Sequence, residues 1–293
     1  MVPGMKKKDL AIDLLEMALA RRDEPAALAT ALIALDKLSQ SRPEHANCHY
    51  AAGRVLLAMG QAQLAMGALR IACQLDPEHA AAHYYEGVAH WLLGRKSEAL
   101  TKVLNALHAD PDLFEARFDA GVIYSQRGDH AAALEHLKRA LGLRPEDFPT
   151  LKKLLQCLLA LDYHGTAQLT HKRLRQVWAT SEDPGVRALR SYVLDQFDVG
   201  PVRVVAVESL APEGDPRVLY SFAAHDSAGL AFTITLETSA ALRGSWVLAV
   251  NDGEVHANTG MRWSEPPGYH LLKPSVVRLV GRWAGVGEEG EGE

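Results

Sequence analysis

Apolar residues recur every three to four positions from about residue 10 to Trp178, and at every second position from Val202 onward. The helical part is itself repeated. Pro43, Pro77, Pro111 and Pro145 stand at one constant interval. Gly53, Gly87 and Gly121 keep that interval, as do Gly60, Gly94 and Gly128. So do Ala65, Ala99 and Ala133, with weaker copies at Ala31 and Ala167. A fixed period of roughly 34 residues means stacked copies of one supersecondary unit, each burying its apolar face against the next. Each copy reads as two helices. In the clearest, Asp76 is the expected cap and Pro77 the opening of a helix over about 78–93. Gly94 stops it, and Ser97-Glu98 opens a second helix to about residue 109. Gly53, Gly87 and Gly121 fall inside first helices, where glycine costs up to ~1 kcal/mol against alanine. That repeated cost predicts a close approach to the in-phase alanines of the second helices, and overpacking if Gly87 were enlarged.

The units resemble tetratricopeptide repeats. Gly121, Tyr124, Ala133, Leu137, Ala140 and Pro145 carry the pattern in one unit. Gly87, Ala99, Val103, Ala106 and Pro111 carry it in another, and Gly53, Leu56, Ala65, Leu69, Ala72 and Pro77 in a third. The family's leading aromatic is replaced by His49, His83 and Arg117. The resemblance covers about residues 12–178, with full units at 46–79, 80–113 and 114–147. A degenerate unit precedes them (Leu19, Ala31, Leu35, Pro43) and another follows (Leu151, Leu155, Leu158, Ala167, Leu174). It implies an α-solenoid over residues 9–180 whose first helices line a concave face. In register with the family, that face takes Asn47, Tyr50, Arg54 and Leu57 from one unit, and Tyr84, Val88 and Trp91 from the next. Glu115, Phe118, Val122 and Gln126 follow from the third, with Lys152 and Gln156 added by the degenerate one. Aromatics with an interleaved Arg suit a protein partner, offered as a peptide or an amphipathic helix. In chaperone-docking members of the family, Lys and Asn clamp a terminal carboxylate. Here Tyr50, Arg54, Tyr85, Glu115 and Asp119 stand at those positions, and the two acids argue against that ligand.

After Trp178 the repeat fails. Ser181-Glu182-Asp183-Pro184 predicts one linking helix within 181–199, running about Pro184 to Phe197. Gly200-Pro201 then marks a change of regime. Leu230, Phe232, Ile234 and Leu236 alternate with Ala231, Thr233, Thr235 and Glu237, the mark of a half-buried strand. Further strands are expected at 202–210, 217–225, 246–251, 254–262 and 275–283. Turns are expected at 212–216, 227–229 and 251–253. The fold class is therefore multi-domain α plus β: a solenoid followed, over residues 200–284, by a small antiparallel sandwich or partly open barrel. The tail 285–293 is too acidic to fold.

Composition narrows the function. A net charge of −5 and pI near 6.2 argue against a nucleic-acid partner. No apolar run approaches the ~18 residues of a membrane span. Met5-Lys6-Lys7-Lys8 leads into an amphipathic helix punctuated by Asp9, Asp13 and Glu16, unlike an export signal. Cys48, Cys73 and Cys157 lack paired spacing and read as small buried hydrophobes in a reducing, cytoplasmic and bacterial setting. Gly285-Val286-Gly287-Glu288-Glu289-Gly290 matches GxGxxG formally but has no helix to follow it. His79 and His83, four apart and echoed by His45 and His49, could share a metal. The structural reading is preferred, with His49 and His83 filling the aromatic slot. His225-Asp226, His256 and His270 are the remaining candidates for chemistry. No catalytic residue, metal or cofactor is assigned, and the expected function is a non-enzymatic adaptor or scaffold. Two other readings stay open: a metal-dependent catalytic site in the β part with the repeats recruiting a protein substrate, and a secretion or assembly chaperone.

Overall fold

The structure, a computed structural model, describes residues 9–189, 191–199, 201–209, 218–226, 229–239, 245–251, 256–263 and 269–284. These fall into two compact units, one ending at Pro145 and the other beginning at Glu146.

The first unit is four helical hairpins: α1 (Leu10–Ala20) with α2 (Pro25–Ser41), α3 (Ala46–Ala58) with α4 (Ala62–Leu75), α5 (Ala80–Leu92) with α6 (Lys96–Ala109), and α7 (Phe114–Gln126) with α8 (His130–Leu143). Helices pack within each hairpin, and α4 and α6 pack onto the first helix of the next. Gly60, Gly94 and Gly128 end the first helices with φ of +74°, +75° and +81°, a conformation that glycine adopts without Cβ strain. The prolines behave differently from expectation. Asp76 is the last cap of α4, and its Oδ1 accepts from Glu78 N at 3.1 Å. Pro77 thus sits in a turn closed by that aspartate, and His79 caps α5. Asp110 and Pro111 repeat the device, with Asp112 N donating to Asp110 Oδ1 at 3.0 Å.

The mid-helix glycines are sites of close approach, as expected, but the partners are chiefly not the alanines. A Cβ on Gly53 would lie 2.5 Å from Leu69 Cγ, and one on Gly121 2.6 Å from Leu137 Cγ. On Gly87 it would meet Val103 Cγ2 at 3.0 Å and the Ala99 carbonyl oxygen at 3.1 Å. The residue one turn beyond each alanine fills the space, because its side chain leans back toward the helix N-terminus.

The second unit opens with one more hairpin, α9 (Phe148–Ala160) and α10 (His164–Thr180). Asp162 stands one repeat period after Gly128 and keeps the left-handed turn with φ of 56°, which aspartate tolerates better than most residues. The linking helix is not formed as expected. Only α11 (Pro184–Arg187) is helical, and β1 (Ser191–Val199) replaces the rest. Tyr192 and Leu194 alternate into the core, then a bulge between Val193 and Asp195 shifts the register. That bulge hides the period-two signal. β1 pairs antiparallel with β2 (Val202–Ser209), out to Val199 opposite Val202.

β3 (Val218–Asp226), β4 (Gly229–Ser239), β5 (Ser245–Asn251) and β6 (His256–Trp263) follow, close to the expected spans. The six strands form one antiparallel meander sheet in sequence order, with no second sheet among the described residues. Val204, Ala206, Phe222, Ala224, Ile234, Leu236 and Leu248 are buried on one face. The strand expected at 275–283 is instead helix α12 (Tyr269–Trp283). Leu272, Val276 and Val280 are buried at four-residue spacing, a helical stripe that the apolar run around Val276-Val277 disguises as a strand. Pro274 sits inside this helix. Tyr269 stacks on Phe222 with ring centroids 6.1 Å apart, seating α12 on the sheet.

The expected turns at 212–216, 227–228 and 252–253, the GxGxxG stretch and the acidic tail lie outside the described residues. Among the described residues, no helix is long and apolar enough to cross a membrane.

Candidate functional site

The expected wall of first helices exists in the first unit, where α3, α5 and α7 are laced together by polar and aromatic contacts. Asn47 Nδ2 donates to Asp9 Oδ2 at 2.5 Å, and His79 Nε2 meets Asn47 Oδ1 at 2.9 Å. Tyr50 packs against the His79 ring at 4.8 Å, and its hydroxyl accepts from Arg54 at 3.0 Å. The Arg54 guanidinium lies 3.7 Å from the Tyr85 ring centroid, in reach of its negative face. Leu57 is half-buried against the core. Tyr84 donates to Asp119 Oδ2 at 2.8 Å across α5 and α7.

This lacing changes what several residues can do. Tyr50 is 7% exposed and Tyr84 9%, so both seal the wall and offer little surface to a partner. Burial, with the Asp119 carboxylate beside it, pushes the Tyr84 hydroxyl pKa up. Burial likewise raises the Asp119 carboxyl pKa; the Tyr84 bond opposes this and Glu115 adds to it. Glu115 pairs with Arg144 at 2.6 Å, and Phe118 stacks on Phe114 with planes 8° apart. Gln126 is exposed.

What remains accessible converges between α5 and α7. Val88, Trp91 and Val122 line a pocket of about 210 Å³, with Gly87, Val103 and Ile123 as floor and Asp119 at its side. Lys96 Nζ lies 5.6 Å from the Trp91 ring centroid. Tyr85 and Asp119 entered the sequence reading only as positions that a carboxylate clamp would need. Their part in the wall was hidden because Tyr85 is one residue, about 100° of helix, past Tyr84.

In the second unit the equivalent face is covered. Gln156 falls one repeat period after Val122, and its Nε2 donates to the Val193 carbonyl of β1 at 2.9 Å. Phe148 meets Tyr192 edge-on with centroids 6.0 Å apart. Lys152 is half-buried, and burial lowers the pKa of its neighbour Lys153. Across the same packing, Glu208 of β2 is fully buried. It accepts from Tyr192 and lies 2.5 Å from His171 Nε2 of α10.

The histidines separate by environment. His79 has both ring nitrogens engaged, Nδ1 accepting from Ala82 N at 3.2 Å. His83 binds the Pro77 carbonyl through Nε2 at 2.9 Å, while its buried Nδ1 has no hydrogen-bond partner among the described residues. Cys73, His83 and Glu86 each bring a possible ligand atom within 4.8 Å of the others. Burial and the neighbouring Glu86 carboxylate push the Cys73 thiol pKa up to about 12. The set His225, His256 and His270 is not brought together on the sheet. β4 and β5 lie between β3 and β6, placing His225 and His256 three strand spacings, about 14 Å, apart. The three cysteines are buried.

The tetratricopeptide repeat model matches residues 50–114 and 97–148. Among solved structures, a crystal structure of MamA protein superposes with a TM-score of 0.50 at 18% identity, covering 59% of this chain and 96% of that one. MamA 41-end from Desulfovibrio magneticus RS-1 gives 0.51 at 20% identity, covering 59% and 96%. The MamA RS-1 ArsTM double mutant gives 0.51 at 20% identity, covering 59% and 95%. At such identity the likeness is one of fold. No curated protein matches the chain. With paired helices in sequence order and a left-handed glycine in each repeat, residues 50–148 have the fold of the tetratricopeptide repeat model that matches them.

Proposed function

We propose that the chain is a non-catalytic adaptor whose first unit docks a peptide or helix of a partner protein along α3, α5 and α7. The observation that carries this reading is the apolar pocket between α5 and α7, with Trp91 at its rim and the half-buried Asp119 beside it. One apolar side chain of the partner fills a space of that size, and a basic neighbour pairs with the Asp119 and Glu115 charges. The second unit supplies an internal precedent. There the equivalent helix α9 receives an extended strand, and the residue in register with Val122 bonds to its backbone. An extended segment is therefore favoured over a helix as the occupant.

The test is a tagged chain carrying Val122→Arg, which fills the pocket, beside Leu64→Arg on an exposed position of α4. Partners captured by the parent chain should be lost with Val122→Arg and kept with Leu64→Arg, at unchanged helicity and melting temperature. Loss with Leu64→Arg alone would move the docking surface to the second helices.

A further inference from the structure

We propose that Cys73 Sγ, His83 Nδ1 and a carboxylate oxygen of Glu86 form a binding site for a thiophilic divalent cation of the zinc type. His83 and Glu86 lie three apart on one face of α5, and Cys73 faces them from the last turn of α4. Their ligand atoms already lie within 4.8 Å of one another. Tetrahedral zinc with bonds of about 2.0–2.3 Å sets ligand atoms roughly 3.3–3.8 Å apart, which small side-chain rotations reach.

The tautomer of His83 is fixed by its surroundings. The Pro77 carbonyl can only accept, so Nε2 carries the hydrogen and the lone pair sits on Nδ1. That lone pair is buried and unpaired among the described residues. An imidazole held by a backbone carbonyl through one nitrogen and free at the other is how metal-ligating histidines are commonly oriented.

The repeat supplies its own control. His49 and Arg117 occupy the His83 position in the neighbouring units, and each reaches the carbonyl of its own proline, Pro43 at 3.3 Å and Pro111 at 2.9 Å. That bond belongs to the scaffold and makes no use of Nδ1. The Glu86 position holds Ala52 and Ala120 in the neighbours. The Cys73 position holds Ser39, Leu107 and Leu141. The hairpin therefore packs without these polar groups, yet this one unit places a carboxylate there at 2% exposure. Lys102 Nζ lies 2.9 Å from Glu86 Oε2 as an ion pair, off the direction of a hydrogen bond, so that oxygen has no hydrogen-bond partner among the described residues.

One thiolate, one imidazole and one carboxylate select zinc-like ions over calcium or magnesium, with water completing the fourth position. As the Sγ–metal bond forms, the Cys73 proton passes to solvent. The ion ties α4 to α5, joining two successive hairpins of the wall.

The test uses the full chain, tag-free and stripped with a chelator, titrated with Zn2+ against a chromophoric competitor and separately with Co2+. The expected result is one zinc per chain and a thiolate-to-cobalt charge-transfer band. Cys73→Ala should abolish the band, and His83→Arg and Glu86→Ala should each weaken zinc roughly tenfold or more. Both of the latter copy residues of sibling repeats and should fold, so a collapsed Cys73→Ala would leave two working variants. No stoichiometric zinc, or zinc binding indifferent to all three changes, overturns the site.

Discussion

Hairpins α7–α8 and α9–α10 are written in the same repeat code but meet different company. Position 122 is a valine lining an open pocket between first helices. Position 156, one period later, is a glutamine bonded to the backbone of β1. The same contrast holds one turn further along, where Trp91 rims the pocket while its counterpart Leu159, two periods on, is buried. A repeat code fixes how a hairpin folds; the residues on its first-helix face fix whether that face is left for a visitor or claimed by the chain itself. The difference is also one of energetics. The first unit rests on apolar interlock between successive hairpins, whereas the second adds a buried polar cluster of Glu208, Tyr192 and His171 to join helix and sheet.

The largest expected effect follows from that cluster. Glu208→Ala leaves the Tyr192 hydroxyl and His171 without their shared acceptor, at a cost of about 3–5 kcal/mol. Denaturant unfolding should become biphasic, the sheet signal lost before the helical one; a single unshifted transition would mean the cluster contributes nothing. In the first unit, Gly121→Ala forces its Cβ into Leu137 and should cost about 1–3 kcal/mol by urea titration. Gly142→Ala in α8, where nothing lies within 4 Å, should instead stabilise by about 0.5–1 kcal/mol. The two glycines thus separate packing from propensity. Gln156→Ala should cost about 0.5–1.5 kcal/mol and act on the second unit alone, read by hydrogen exchange at Val193 and its neighbours.

The smallest effect is one of pH. Burial holds the His79 pKa below the ordinary histidine value of 6.5, the Asp76 charge opposing. The unfolded chain therefore takes up this proton first. Stability associated with neutral His79 is complete above pH 6.5 and is lost as pH falls toward the depressed folded value. Thermal melts from about pH 7.5 to about pH 5.5 should show the first unit losing stability, with a shallower slope in His79→Asn, which keeps a capping oxygen for Ala82 N. His136, lowered by burial and by Arg117 and Arg139, adds to the same slope.

The chain's landmarks show unevenly in its sequence. The repeat period, the left-handed glycines and five of the six strands follow from local chemistry: a positive φ needs glycine, and a half-buried strand needs alternation. β1 escaped because its bulge places Leu194 and Asp195 both inside, which breaks alternation where it would have been counted. α12 escaped because Val276 and Val280, four apart, share a face in either period; in the structure Tyr269 at the start of the helix packs on Phe222 and Tyr220 of the sheet. The wall residues were placed on the right helices, but which of them face outward was not visible. Tyr50 and Tyr84 carry the composition of a binding hot spot and serve as mortar instead.

By itself the sequence determined that helical hairpins repeat through Leu143 and continue once more, and that an antiparallel sheet follows. Those features are local, set by spacing, caps and backbone preference within a few residues. Only the tertiary structure decided that the last hairpin belongs with the sheet, that the open pocket lies between α5 and α7, and that Cys73 faces His83 and Glu86. Each of these depends on side chains from different helices or strands meeting in space, and no period along one chain encodes which neighbour reaches a face first.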